Sequence, residues 1–187
     1  MLPRLIPTII FAALASCGAN HHATNEANGG SAVENTTLSK ISLSSDAFKD
    51  GQPIPVQYTC DGANQPPGLN WGDPPPGTKS FALVVDDPDA PSGTFRHWGM
   101  YDIPGSARSY GGGHHAGTEV VNDFGTPGYG GPCPPKSHGP HHYHFKLFAL
   151  DTDRLDLPPS AKVVDVENAA AQHLIGRGEL IGIYERR

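Results

Sequence analysis

The sequence predicts a mainly β, turn-rich domain with one late helix, and three observations carry that prediction. The 187 residues include 23 Gly and 19 Pro, together about twice the roughly 12% of average usage. Between these turn formers stand apolar runs at 81–85 and 145–150, which a disordered chain would lack. Helical spacing of apolar residues occurs only near the C-terminus, so a helical bundle does not fit. At roughly 100–200 residues per domain, the length accommodates one domain plus its ends. The 13 Lys and Arg against 19 Asp and Glu give a net charge of −6. No basic run with interleaved aromatics exists, which excludes nucleic acid as a partner.

Residues 1–15 hold one early positive charge, Arg4, then an apolar stretch over 5–15. That stretch is too short to span a bilayer and reads as a secretory signal. It ends in Leu14-Ala15-Ser16-Cys17, which resembles the lipobox of bacterial lipoproteins. The resemblance implies a signal peptide over 1–16 and a lipid-bearing, palmitoylated Cys17 at the mature N-terminus. It also implies a bacterial envelope protein anchored to a membrane and facing the periplasm or the exterior. An ordinary signal peptide with a chance cysteine is the alternative. Residues 17–37 are almost wholly Asn, Gly, Ser, Thr, His and Ala, too polar to form a core, and read as a flexible tether. The His21-His22 pair within it reads as solvated filler. The folded domain is expected over 38–187.

Turn residues separate five predicted strands, at 54–58, 80–86, 97–103, 143–150 and 180–184. Val166, Ala169, Ala170, His173 and Leu174 recur at helical spacing, with Asp165 placed to cap the start and Gly176 to end the turn. His173 reads as a packed or boundary residue of that helix. The segment 104–142 reads as irregular, and loops of that length are usually functional. Its Gly111-Gly112-Gly113 and Gly128-Tyr129-Gly130-Gly131 runs lack a P-loop lysine or the GxGxxG order, so phosphate-loop chemistry is not indicated.

Three predicted strand ends carry polar groups that could share one pocket: Asp87-Pro88-Asp89-Ala90-Pro91, His97-Trp98 and His141-His142-Tyr143. An Asx-type turn is the plain alternative for the first. Taken with Tyr58-Thr59-Cys60-Asp61-Gly62, Leu69-Asn70-Trp71, Asn122-Asp123-Phe124-Gly125 and the 128–135 segment, these motifs resemble the phosphatidylethanolamine-binding protein family, bacterial Raf kinase inhibitor-like branch. The resemblance implies a β-sandwich with a C-terminal helix and a small edge pocket that binds anions. Carried over residue by residue, it implies a pocket lined by Asp87, Pro91, His97, Pro134, His141 and Tyr143. Arg96 departs from the family pattern, as does the His-rich 136–144 stretch.

The function expected is binding without covalent chemistry, and no cofactor is expected. The ligand would be a small anionic or phospholipid head-group species, with membrane contact through the lipid anchor. Two imidazoles would act as partly charged donors, Asp87 as acceptor and Tyr143 as a hydroxyl donor. A second reading is a protein-interaction module inhibiting a kinase or peptidase, its partner unknown. A third is a metal-dependent hydrolase using His138, His141, His142, His144, His114-His115 and Asp87/Asp89. Strand alternation puts His142 and His144 on one face and His141 and Tyr143 on the other. That argues against four histidines meeting one ion, so no metal site is expected. No Gly-x-Ser-x-Gly elbow is present. Cys60 and Cys133 remain after Cys17, and in an oxidising compartment they are expected to pair. Two separate buried thiols are the alternative.

Overall fold

A computed structural model describes residues 38–111 and 117–187. The expected signal peptide and tether, with Cys17 and His21-His22, and the Gly112-Gly113 and His114-His115 pairs lie outside the described residues.

The short strands come first: β1 (Ser39–Lys40), β2 (Leu43–Ser44), β3 (Gln52–Pro53) and β4 (Leu69–Trp71). The long central pair follows, β5 (Ser80–Asp87) and β6 (Phe95–Pro104), then β7 (Ser109–Tyr110) and β8 (Thr118–Glu119). The chain closes with β9 (His141–Leu150), α1 (Val163–Ala171) and β10 (Leu174–Tyr184). Among the described residues, one sheet runs β1-β10-β9-β5-β6-β8, with β3 also on β10, and a second runs β2-β4-β7.

Two apolar layers sandwich the large sheet. On one face Phe81, Leu83, Val85, Tyr143, Phe145 and Leu147 pack with Leu43, Leu69, Trp71 and Tyr110 of the small sheet. On the other, Ala82 and Val84 pack with Val163, Val166 and Ala170 of α1. Burial of β5 on both faces explains why it reads as a continuous apolar run rather than an alternating one.

Several sequence expectations need correction. The predicted strand at 54–58 is instead a 3-10 turn over Val56–Tyr58, in which Tyr58 and Thr59 N–H groups donate to the Pro55 and Val56 carbonyls. Pro53 and Pro55 bracket Ile54 and remove two ladder donors, so the extended run is only Gln52–Pro53. Asp165 is not the cap. The helix starts at Val163, and Asp165 sits in its first turn, its carboxylate accepting the Lys162 N–H at 2.8 Å.

Gly176 does not end the helix, which stops at Ala171, and it pairs with Ala149 inside β10. His173 and Leu174 therefore lie beyond the helix, and His173 is a half-buried boundary residue bonded to Asp151 at 3.0 Å. Glycines in β10 serve close packing. A Cβ on Gly182 would stand 2.4 Å from Ile54 Cγ1, so the seat of the β3 segment requires its absence. The 104–142 segment is not wholly irregular either, since it contributes β7 and β8, and Val121 bridges Pro127.

Candidate functional site

The site grows out of the face that β5 and β9 share. The two strands pair antiparallel, with Val85 opposite Phe145 and Asp86 opposite His144. The core-facing positions of β9, Leu147, Phe145 and Tyr143, lead outward to His141. Those of β5 lead through Val85 to Asp87. Period-2 alternation thus delivers an imidazole and a carboxyl to the open end of the core, where both stay buried. There His141 Nδ1 lies 2.7 Å from Asp87 Oδ2, while Asp87 Oδ1 accepts the Asp89 N–H at 2.9 Å. The opposite face of β9 behaves as alternation requires: His142 meets Asp89, His144 meets Glu179 and Lys146 meets Asp86.

His97 arrives by another route. Along the β5–β6 pair, Val85 is opposite Trp98 but Asp86 is opposite Arg96. The extra residue in that bulge is His97. The bulge turns its ring toward the core side with Trp98, where it packs edge-on to Tyr143 at 5.2 Å between centroids. Arg96 goes to the other side and meets Glu167 of α1 at 2.6 Å.

Three strands therefore converge on a cavity of about 190 Å³ lined by Asp87, Pro91, His97, Pro134 and His141, with Phe95 and Phe124 as walls. It is smaller than the roughly 300–1,000 Å³ of drug-sized ligand sites and fits a compact group. Two larger grooves, of about 510 and 540 Å³, lack such a cluster of buried polar groups. Tyr143 packs between the rings of His97 and His141 and is not itself among the lining residues.

The far wall is a loop that the chain ties down. Cys60 and Cys133 are joined in a disulfide, the Gly131 N–H donates to Asn64 Oδ1 at 2.8 Å, and the Tyr129 hydroxyl donates to the Tyr58 carbonyl at 2.8 Å. Buried Asn122 holds the next turn, accepting the Phe124 N–H and donating to the Gly128 carbonyl. Phe124 is thereby held at the cavity mouth, its ring against Phe95 and His97.

Burial sets the electrostatics. His97 Nδ1 lies 2.8 Å from the Gly130 carbonyl, so Nδ1 carries the hydrogen and Nε2 of the neutral ring is an acceptor. Desolvation pulls the His97 pKa below the usual histidine value, against the opposing pull of that carbonyl and of Asp87. The expectation of two partly charged imidazole donors is corrected here, because His97 is neutral near pH 7. Tyr143 is fully buried and its hydroxyl makes no hydrogen bond of ordinary geometry. Desolvation first, and Asp87 second, push its ionisation far above the usual phenol range, so it stays a neutral O–H donor.

Sequence reasoning missed Phe95, Phe124 and the Gly130 carbonyl as parts of the site. It also treated His138 only as a metal candidate, whereas the His138 ring reaches back to His141. An aromatic two residues before His97 was the one available signal for Phe95.

The family model for phosphatidylethanolamine-binding protein matches residues 44–185. The chain belongs to that family. A UPF0098 protein of Aquifex aeolicus is 49% identical over 146 residues, covering 75% of this chain and 85% of the relative. A Mycobacterium tuberculosis relative whose name describes it as a lipoprotein, LppC, is 46% identical over 147 residues, covering 78% and 72%. Among solved structures, Escherichia coli YbcL, described as a new member of the mammalian PEBP family, superposes with a TM-score of 0.74 at 31% identity over 79% of this chain and 99% of its own. A homologue from Chlamydia trachomatis gives 0.72 at 33% identity, with the same coverage of both chains.

Proposed function

We propose that this member of the phosphatidylethanolamine-binding family binds a small anionic or zwitterionic group, phosphate or phosphoethanolamine, in the Asp87/His97/His141/Tyr143 cavity. The observation that carries the reading is the convergence of Asp87, His97 and His141, each buried, on one small cavity. Polar side chains held buried at the wall of a cavity can hydrogen-bond a ligand there without competition from bulk water. In this reading Tyr143 donates to the anion, His97 Nε2 accepts from a ligand O–H or ammonium, and Asp87 balances an ammonium. Pro91 and Pro134 shape the rim. The reading is one of binding, with no bond made or broken.

Titration with inorganic phosphate and with phosphoethanolamine, followed by NMR of the histidine and tyrosine side chains, tests it. Saturable shifts at His97, His141 and Tyr143 are expected. Shifts confined to other surfaces, or none, would overturn it. A protein-docking reading has one observation in its favour, since Phe124 is 48% exposed at the cavity mouth. It takes over if Phe124→Ser abolishes a protein contact while phosphate leaves the site untouched.

The same proposal includes a signal peptide over 1–16, a tether over 17–37 and lipid attachment at Cys17, placing the domain on the envelope side of a bacterial membrane. The lipobox-like Leu14-Ala15-Ser16-Cys17 and the lipoprotein name of one relative support it. Among the described residues no helix is long and apolar enough to cross a membrane. Mass spectrometry of the mature protein is expected to find a diacylglyceryl-modified Cys17. An unmodified Cys17 would remove the anchor.

A further inference from the structure

Both ring nitrogens of His141 are occupied. Nδ1 faces Asp87 Oδ2 at 2.7 Å, and Nε2 faces His138 Nδ1 at 2.8 Å. His141 is 1% exposed, whereas His138 stands on the exposed segment between β9 and the disulfide-tied loop. Two left-handed residues, Ser137 at φ +61° and Gly139 at φ +94°, shape that segment. Its backbone is held by the Ser137 N–H on the Arg186 carbonyl at 3.0 Å and the His138 N–H on the Pro135 carbonyl at 3.2 Å. The His138 ring meets His141 at a centroid distance of 5.0 Å.

Counting hydrogens shows what this contact does. Asp87 accepts at Oδ2, so His141 Nδ1 carries a hydrogen. If the His141 ring is neutral, Nε2 is a lone pair accepting the His138 Nδ1 hydrogen. If the ring is protonated, its Nε2–H donates to the His138 lone pair. In neither state does His141 have a free N–H for an anion. Only when both rings are protonated do two N–H groups oppose each other, and then the contact opens. We propose that His138 is a displaceable cap on the ligand site, so that anion binding at His141 is coupled to proton uptake by the His138–His141 pair. The proposal rests on the ligand reading above.

Charged groups flank the pair on several sides. Lys136 lies on the same loop, and the Asp61–Arg186 ion pair sits beneath Ser137. Asp87 stands behind His141, and the Asp89–His142 pair lies on the neighbouring rim. By the hydrogen count above, the cap stays closed with no extra proton or one on the pair and opens with two. Lost rotamer freedom is small for an exposed side chain, so displacing His138 removes about one hydrogen bond from the apparent affinity.

Calorimetric titration with inorganic phosphate, in buffers of differing ionisation enthalpy, tests the cap on the full chain. His138→Ala frees the Nε2–H of a protonated His141 ring, and at pH 6 it is expected to bind phosphate about threefold to tenfold more tightly than the wild type. It should also take up fewer protons per phosphate, because His141 alone, and not the pair, must then be protonated to present an N–H. His138→Phe, which cannot hydrogen-bond, should behave like the alanine variant, and His144→Ala on the opposite face like the wild type. Equal or weaker binding by both His138 variants, with the wild type binding, would overturn the cap and leave the ligand reading standing. Absence of phosphate binding by every form would overturn the ligand reading and the cap with it.

Discussion

Two carboxylate–histidine pairs lie one residue apart on β9, and their geometry is nearly the same. His141 meets Asp87 at 2.7 Å and His142 meets Asp89 at 2.7 Å. Their side chains are 1% and 4% exposed in the first pair, and 47% and 42% in the second. Distance alone would rank them equal, but surroundings separate them. The outer pair trades its hydrogen bond freely against water and contributes at most about 1 kcal/mol. The inner pair has no water to trade with, so losing either partner strands the other. The inner pair can therefore hold a fixed tautomer and a fixed position, as a binding site needs, while the outer pair decorates a solvated face.

The comparison can be broken most strongly from the inner side. Reducing the Cys60–Cys133 disulfide, which closes a separation of 73 residues, is expected to lower stability by roughly 4 kcal/mol in the chain-entropy model. It should also loosen the loop whose Gly130 carbonyl fixes His97. Thermal unfolding with and without reductant reads the first effect, and loss of the His97 NMR tautomer signature reads the second. An unchanged melting temperature would show that the bridge constrains little.

Asp87→Ala is next, expected to lose about 3 kcal/mol because the His141 Nδ1–H is left buried without an acceptor. Asp89→Ala should lose under about 1 kcal/mol. Chemical denaturation of the two variants side by side decides the point, and equal losses would erase the contrast drawn above. Asp87→Asn sharpens the functional side, with tighter phosphate binding and weaker phosphoethanolamine binding expected. A variant that treats both ligands as the wild type does would take Asp87 out of the ligand site.

A smaller effect concerns pH. Burial lowers the His97 pKa, so the unfolded chain binds a proton near pH 6.5 that the folded chain refuses. Stability from His97 is complete above about pH 6.5 and is lost as pH falls from there toward the folded value. His97→Gln, which keeps a donor for the Gly130 carbonyl, should flatten that part of the stability curve. A slope that survives the substitution would assign it to other groups. The smallest change expected is His142→Ala, under about 1 kcal/mol and without effect on phosphate affinity.

Much of this architecture follows from the sequence alone because it is local or periodic. The unbroken apolar run ending in Asp86-Asp87 specifies a strand buried on both faces. Alternation along His141-His142-Tyr143-His144 divides those four side chains between core and solvent before any neighbour is known. The combined motifs identify the family. Helix limits and the 54–58 turn were misread because first-turn Asp, glycine and proline signals each fit two local structures, and packing chose between them.

What only the tertiary structure decided is non-local. Alternation by itself would send His97 and Trp98 to opposite faces. The bulge against β5, a property of two strands in register, turns both inward. The Gly130 carbonyl meets His97 because loops far apart in the chain fold over the same sheet edge, whereas the Cys60–Cys133 pairing was already expected from the cysteine count. His138 reaches His141 between two left-handed residues, Ser137 and Gly139, the first held by the Arg186 carbonyl of the C-terminal segment. Periodicity tells a residue which way to face, but register and loop closure tell it whom to meet.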